Sequence, residues 1–175
     1  MSSTSSEAIK AAVAGAVEYL SAHPAEARYT DEAVTAVWES GLKFSTRVGD
    51  ETMVTDMPAS VGGGGSAPSP GAFFRAAIAS CLGTLVALRA ASESVEITAL
   101  EVTIDSESDD RGILGADPSV VAGPLSVRAV VRLETDAPDE RVGPILDWAL
   151  AHCPVTEALG RVVPLNLDWK RGVAG

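Results

Sequence analysis

One segment of this sequence, residues 69–91, limits most strongly what the chain can fold into. It begins with Ser69, a favourable helix N-cap, and Pro70, which is favoured at the first helical position. Between residues 71 and 91 the charged side chains are Arg75 and Arg89. The predicted helix is therefore apolar on most of its faces and has to be buried by other elements. Its expected buried stripe consists of Phe74, Ile78, Cys81, Leu85 and Leu88.

Three further helices are predicted from apolar residues at helical spacing. They are an N-terminal helix from Ser5 or Ser6 to about His23, a helix over residues 138–152 with a bend at Gly143–Pro144, and a short helix over residues 154–159. The helix at residues 138–152 is opened by a proline, as is the short one.

Strands are predicted where apolar and polar residues alternate between turn residues. The segments are residues 33–58 (two or three strands, with turns at residues 39–41 and 49–50), 94–107, 123–136 and a final strand over 162–170. This order of elements predicts an α+β fold in which a buried helix crosses an antiparallel sheet. We expect residues 1–29 to form a helical extension and residues 30–175 to form one domain.

The charge balance narrows the possible partners. Thirteen basic and 24 acidic residues give the 175-residue chain a formal net charge of −11, so we expect neither nucleic acid nor an anionic membrane as a partner. The uncharged run over residues 76–88 is too short to span a bilayer, and Glu18 interrupts the apolar N-terminal run that superficially suggests an export signal. Two cysteines are too few for a secreted disulfide scaffold. A soluble, cytoplasmic protein is expected.

Two loops have compositions that could suggest ligand binding. The segment GGGGSAPSP at residues 62–70 lacks the Gly-Lys-Ser/Thr ending of a phosphate-binding loop, so a flexible connection before a helix is predicted instead. Asp105, Glu107 and Asp109 have the spacing of a calcium loop, but Asp110 and Ala116 replace its glycine and its final glutamate. A solvated acidic loop is therefore expected there.

The two cysteines, Cys81 and Cys153, are the candidate reactive residues. Cys153 precedes Pro154 and should cap the last short helix, where free N–H groups and the helix dipole lower a thiol pKa; His152 could add a cation. The apolar surroundings of Cys81 should raise its pKa unless a cation reaches it. The alternative is that both residues are ordinary buried cysteines without a chemical role, since free cysteine is among the most buried residue types. A zinc site would lack the usual Cys-x-x-Cys spacing, and a Cys–His hydrolase has no local signature here.

The segment SPGAFFRAAIASCL, followed by HCPVTEAL at residues 152–159, resembles the OsmC/Ohr family of thiol-dependent peroxidases. The strand pattern around AVWESGLKF, the glycine loop and the closing strand fit as well, from about Thr30 to Lys170. The resemblance implies an antiparallel sheet wrapped on a central Cys-bearing helix, in an intertwined homodimer with active sites at the subunit interface. It also implies reduction of organic hydroperoxides, with Cys81 as the peroxidatic thiolate and Cys153 as the resolving thiol that forms a disulfide with it. No bound cofactor or metal is implied, and a small dithiol or lipoyl-type reductant would reset the pair.

The sequence departs from this family at one functional position. Family peroxidases carry a glutamate directly after the proline that opens the Cys-bearing helix, and that glutamate holds an arginine against the reactive sulfur. Gly71 stands there in this chain. By location the arginine would be Arg47, with Arg75 as second choice. Two functions therefore stay open: a Cys-based peroxidase acting on organic hydroperoxides, and a non-catalytic dimer of the same fold that binds a small apolar molecule or senses redox state.

Overall fold

The computed structural model describes residues 3–172. Residues 1–2 of the predicted helical extension and residues 173–175 of the predicted domain lie outside the described residues. The helices are α1 (Ser3–Ala22), α2 (Pro70–Ser92), α3 (Asp110–Ile113), α4 (Asp139–His152) and α5 (Pro154–Gly160). The strands are β1 (Thr35–Ser40), β2 (Lys43–Val48), β3 (Glu51–Thr55), β4 (Ala99–Glu107) and β5 (Ser126–Glu134). Single 3₁₀ turns occupy Pro24–Ala27 and Ala59–Val61. The α+β class and the antiparallel sheets are confirmed.

Helix α2 is the central element, as expected. Ser69 caps it by accepting a hydrogen bond from the Ala72 N–H at 3.3 Å, and Pro70 occupies its first position. Its fully buried side chains are Ile78, Leu82, Val86, Ala90 and Ala91, of which Ile78 belongs to the predicted stripe. Phe74, Cys81, Leu85 and Leu88 are only half-buried. Because α2 is apolar all round, its sequence does not determine which face meets the core.

The hydrophobic core lies between α2, α4 and the two-stranded sheet. Strands β4 and β5 pair antiparallel, from Ala99 opposite Glu134 to Glu107 opposite Ser126. The core consists of Leu82, Val86, Ala90, Val95, Ile97, Ile145 and Ala149. Helix α1 packs along α2, and the Lys10 ammonium donates a 2.6 Å hydrogen bond to Ser94. The 23 residues of α2 meet the length and hydropathy of a membrane span, which is weak evidence because core helices pass the same test.

Strands β1, β2 and β3 form a second antiparallel sheet in sequence order. Both of its turns use a glycine with positive φ, at Gly41 and Gly49, as the turn residues predicted. Its main packing contacts run between its own strands. Apolar side chains including Val37 and Trp38 consequently remain more than half exposed.

The predicted final strand at residues 162–170 is not formed; this expectation was wrong for the single chain. Residues 161–169 have no regular structure, and Leu165, Leu167 and Trp169 are 94%, 89% and 77% exposed. The alternating pattern is present in the sequence, but a strand also requires a neighbour to accept and donate its backbone hydrogen bonds. Within the described chain both sheets are built from other segments.

The glycine loop is not the flexible connection expected from its composition, because it closes around a buried carboxylate. Asp56 is 3% exposed. Its Oδ1 accepts from the N–H groups of Met57 and Gly64 at 2.8 and 3.2 Å, and its Oδ2 accepts from the N–H and hydroxyl of Ser66 at 3.0 and 2.9 Å. The Ser66 N–H is the main cause of the lowered Asp56 pKa, against burial, which opposes ionisation. The loop therefore fixes the chain just before α2.

We expect Asp56→Asn to lower the thermal midpoint by several degrees at pH 7, because an amide NH₂ would face backbone donors. Since the folded-state pKa of Asp56 lies below its ordinary value of 3.8, this stabilisation is complete above that pH and is lost as pH falls through the folded-state pKa. Urea unfolding of wild type and variant should therefore converge in strong acid. Asp117→Asn, which alters an exposed carboxylate bonded to Ser119, is the matched control and should have a smaller effect at neutral pH.

Candidate active site

The fold brings the two cysteines together. Cys81 lies in the middle of α2, and Cys153 is the residue between α4 and α5, both of which pack against α2. The two side chains are close enough for each thiol to shift the pKa of the other, and both cysteines are free. Cys153 is 0% exposed, whereas Cys81 is only partly buried. A reagent entering from solvent therefore meets Cys81 first.

Cys153 is placed to carry negative charge. Burial by itself opposes ionisation of its thiol, but four other interactions outweigh burial and lower the pKa. These come from the Thr156 N–H, the Cys81 thiol, the Thr156 hydroxyl and the Val155 N–H. Cys153 occupies the N-cap position of α5, as predicted, but its side chain forms no capping hydrogen bond.

Cys81 has the opposite balance. Burial raises the pKa of its thiol, and the neighbouring Cys153 raises it further, both as hydrogen-bond partner and as a like charge. The Val155 N–H acts against this and lowers it. The Val155 N–H therefore favours ionisation of both thiols. A negative charge shared by the pair is stabilised by this donor whichever sulfur holds it.

His152 does not supply the cation that its position next to Cys153 suggested. Its ring stacks on Trp148 with centroids 4.2 Å apart, and its Nδ1 lies 2.8 Å from the Trp148 carbonyl oxygen. The side chain is exposed, and it is not among the groups that shift the Cys153 pKa. The reason is helical geometry: the i−4 residue, not the next residue, is the neighbour of His152 on α4.

Neither candidate arginine reaches the sulfurs within the described chain. Arg47 is exposed on β2, beside a groove of about 380 Å³ whose other walls are Thr35, Val37, Ser45 and Thr52. Arg75 is half-buried near the start of α2, with its Nη1 3.8 Å from the point that a Cβ on Gly71 would occupy. Because Arg75 and Cys81 are six residues apart on one helix, their side chains point about 120° apart around its axis. The pKa of the Cys81 thiol is instead shifted by burial, by Cys153 and by the Val155 N–H.

Sequence reasoning missed the contribution of Thr156 and Val155. The Thr156 hydroxyl donates to the carbonyl oxygens of Leu150 and Cys153 at 3.0 and 3.1 Å, and the Cys153 sulfur is a third acceptor within its reach. The sequence CPVT at residues 153–156 could have indicated these two donors, because the second and third residues of a helix have free N–H groups beside its N-cap. Among residues 3–172 no cluster of three or more His, Cys, Asp or Glu side chains could hold a metal ion.

A family model described as OsmC-like protein matches residues 63–168. The chain belongs to the OsmC-like family. No curated protein matches the sequence. Among solved structures, an OsmC-like protein from Mycoplasma pneumoniae superposes with a TM-score of 0.67 at 14% identity, over 77% of this chain and 91% of that one.

Two organic hydroperoxide resistance proteins share the same fold with this OsmC-like chain. The protein from Elizabethkingia anophelis superposes with a TM-score of 0.59 at 16% identity, over 75% of this chain and 90% of the other. The Legionella pneumophila protein gives a TM-score of 0.52 at 18% identity, with the same two coverages. At these identities the likeness establishes a shared fold, and function has to be argued from the site.

The Gly71 position gives a direct prediction. In Gly71→Glu the new side chain would start in ordinary contact with the Arg75 guanidinium, so we expect a local ion pair four residues apart, worth a few tenths of a kcal/mol. Alkylation of Cys81 by iodoacetamide should keep its wild-type pH profile. Gly71→Gln is the matched control for the added bulk. A Cys81 profile shifted to lower pH in the glutamate variant alone would mean that the new carboxylate brings an arginine to the sulfur.

Proposed function

We propose that this OsmC-like protein is a thiol-dependent peroxidase that reduces organic hydroperoxides. The observation that carries the proposal is the proximity of a partly exposed thiol, Cys81, to a fully buried one, Cys153. Peroxide reduction by cysteine needs an attacking thiolate that the oxidant can reach and a second thiol close enough to trap the sulfenic acid before it is overoxidised. The apolar side chains around Cys81 on α2 favour an alkyl hydroperoxide over hydrogen peroxide.

The reaction uses the two sulfurs in turn. The Cys81 thiolate attacks the terminal oxygen of the hydroperoxide and the O–O bond breaks. The leaving alkoxide takes a proton from solvent to become the alcohol, and Cys81 becomes a sulfenic acid. The Cys153 sulfur then attacks the Cys81 sulfur, which expels the hydroxyl group and forms the Cys81–Cys153 disulfide. An external dithiol or lipoyl-type reductant returns both thiols. This cycle requires a reducing compartment, so we also propose a cytoplasmic location.

The test is oxidation of the wild-type protein with less than one equivalent of cumene hydroperoxide. We expect two thiols to disappear together for each hydroperoxide consumed, with an internal disulfide between the peptides containing Cys81 and Cys153 in the mass spectrum. Addition of dihydrolipoate should then reduce the disulfide and regenerate both thiols. Hydroperoxide that stays unconsumed while both thiols remain free would exclude the peroxidase.

We further propose that the protein works as a two-fold homodimer. The exposed apolar residues of β1 and β2 and the unpaired segment at residues 162–170 support a second copy, because monomeric proteins seldom expose so much apolar surface. Sedimentation at micromolar concentration should give a dimer, and Trp169→Glu should weaken it; a wild-type monomer would contradict the proposal.

The alternative function, binding of a small apolar molecule, has one observation in its favour. A cavity of about 370 Å³ lies beside the start of α2 and is lined by the apolar Phe74, Ile113 and Pro124 together with Arg75, Asp109 and Asp110. If cumene hydroperoxide is not consumed, saturable binding of medium-chain alcohols or fatty acids, measured by calorimetry, would support this second function. Binding that is lost in Phe74→Ala is the expected signature.

A further inference from the structure

We propose that Trp148 is a positioning residue for the disulfide between Cys81 and Cys153. Its indole ring contacts His152 and Arg89 and thereby fixes the end of α4, which Cys153 follows directly. The assignment rests on the proposed peroxidase function, since it concerns the thiol that resolves the sulfenic acid. The Cys153 side chain forms no capping hydrogen bond at the start of α5, so the position of its sulfur depends on the segments on either side.

Trp148 joins the end of α4 to α2 through two ring contacts. The His152 ring stacks on the indole with centroids 4.2 Å apart and an interplanar angle of 13°. The guanidinium carbon of Arg89 on α2 lies 5.0 Å from the indole centroid, within the range of a cation–π interaction. A contact with the last residue of α4 and a contact between two helices therefore meet on one side chain.

The cation over the ring is itself held in place. Arg89 forms a 2.6 Å ion pair with the Glu93 carboxylate at the end of α2. The Glu93 carbonyl oxygen accepts a 2.6 Å hydrogen bond from the Arg141 guanidinium, which belongs to the first turn of α4. Helix α4 is thus attached to α2 at its first turn through Arg141 and near its last turn through Trp148.

The last turns of α4 need a contact of their own because Pro144 lies inside the helix. A proline has no N–H to donate to the carbonyl four residues earlier, so it weakens the connection between the two halves of the helix. Ile145 and Ala149 are buried against the core, but hydrophobic burial is not directional. The stacked rings have a defined geometry and therefore fix the orientation of the helix end.

The backbone that leads into Cys153 is held from both sides. The His152 Nδ1 lies 2.8 Å from the Trp148 carbonyl oxygen, which can only accept, so this nitrogen donates. From α5 the Thr156 hydroxyl donates to the carbonyl oxygens of Leu150 and Cys153 at 3.0 and 3.1 Å. A disulfide forms only over a narrow range of Cα separations, about 4.4 to 6.8 Å. A loosened α4 end would therefore lower the fraction of time in which the two sulfurs can react.

The end of α1 has a similar stack and separates the local part of this arrangement from the tertiary part. Tyr19 and His23 stack with centroids 4.3 Å apart, and the His23 Nδ1 lies 2.9 Å from the Tyr19 carbonyl oxygen. An aromatic residue four positions before a histidine is therefore a local helix-end pattern in this chain. Within residues 3–172 the ring that also carries a cation–π contact is that of Trp148, and Arg89 connects it to the Cys81-bearing helix.

The test measures the equilibrium between the Cys81–Cys153 disulfide and the two thiols in glutathione redox buffers, where no hydroperoxide takes part. Trp148→Leu keeps an apolar side chain against the core but removes the ring. We expect the effective concentration of the two thiols to fall about tenfold, which makes the reduction potential about 30 mV less negative. Trp148→Phe keeps a ring that stacks and should restore most of the wild-type value. Tyr19→Leu, which removes the stack at the end of α1, is the matched control and should leave the equilibrium unchanged.

His152→Ala removes the stack from an exposed position without touching the core, and it serves as the second variant if Trp148→Leu does not fold. It should shift the equilibrium in the same direction. A merely structural role of Trp148 would lower the thermal midpoint but leave the disulfide equilibrium unchanged, because lost packing destabilises the oxidised and reduced forms equally.

An unchanged equilibrium in Trp148→Leu and His152→Ala, or equal shifts in Trp148→Leu and Trp148→Phe, would overturn the positioning role. A wild type that forms no disulfide in the most oxidising buffer would overturn it as well. If wild type forms the disulfide and the variants shift as expected, but cumene hydroperoxide is not consumed, the peroxidase is excluded and the positioning role is upheld.

Discussion

In Cys153→Ser, excess cumene hydroperoxide is expected to convert Cys81 to the sulfinic acid, whereas wild type stops at the disulfide. Cys81 keeps its partly exposed position on α2, but the sulfur that would trap its sulfenic acid is gone. In Cys81→Ser the remaining thiol of Cys153 should stay reduced, because it is fully buried and the hydroperoxide cannot reach it. Steady-state consumption of hydroperoxide with a dithiol should fall by several orders of magnitude in both variants.

Intact-mass and peptide analysis after a brief exposure measures these outcomes, and thermal unfolding checks that both variants are folded. Oxidation of Cys153 in Cys81→Ser at the wild-type rate would reverse the assigned roles. Such a result would favour the lower pKa of Cys153 over the accessibility of Cys81 as the property that decides which sulfur attacks.

The second large effect is expected at Gly63, in the loop around Asp56. A Cβ added there would lie 1.9 Å from the Met57 carbonyl oxygen, which already accepts a hydrogen bond from the Gly65 N–H at 3.0 Å. The Met57 atoms that the new Cβ would strike belong to the backbone, so no side chain can rotate away to relieve the clash. Gly63→Ala should therefore cost about 3 kcal/mol or more, the upper end of the overpacking range. For a chain of this size the thermal midpoint should fall on the order of 10 °C.

Gly123→Ala is the matched control, because a Cβ at Gly123 has nothing within 4 Å. It should leave the thermal midpoint near the wild-type value. A Gly63→Ala protein as stable as wild type would show that the loop does not close around Asp56 in solution.

The sequence predicted the elements whose signals are local. The cap at Ser69, the proline at the first position of α2 and the turns at Gly41 and Gly49 act within a few residues, and the structure confirms them. The helix opened by Pro154 is confirmed for the same reason. The family resemblance, read from the two cysteine-containing segments, is confirmed by the match over residues 63–168. The boundary at residues 29 and 30 stays a prediction.

The tertiary structure decided what depends on distant partners. It selected Leu82 and Val86 over the Cys81 stripe as the face of α2 that meets the core, because β4 and α4 approach from that side. It also turned the glycine loop into a binding site for the Asp56 carboxylate, which composition alone cannot indicate.

The candidate site also has one part that local sequence predicts and one part that only tertiary packing determines. Local sequence determined that Cys153 sits before free helical N–H groups, since an N-cap and its helix are neighbours in the chain. That Cys81 lies beside it, 72 residues away in sequence, follows only from the packing of α2 against α5. The residues 162–170 carry a strand pattern without a strand, because hydrogen-bond partners come from the fold and not from the alternation of side chains.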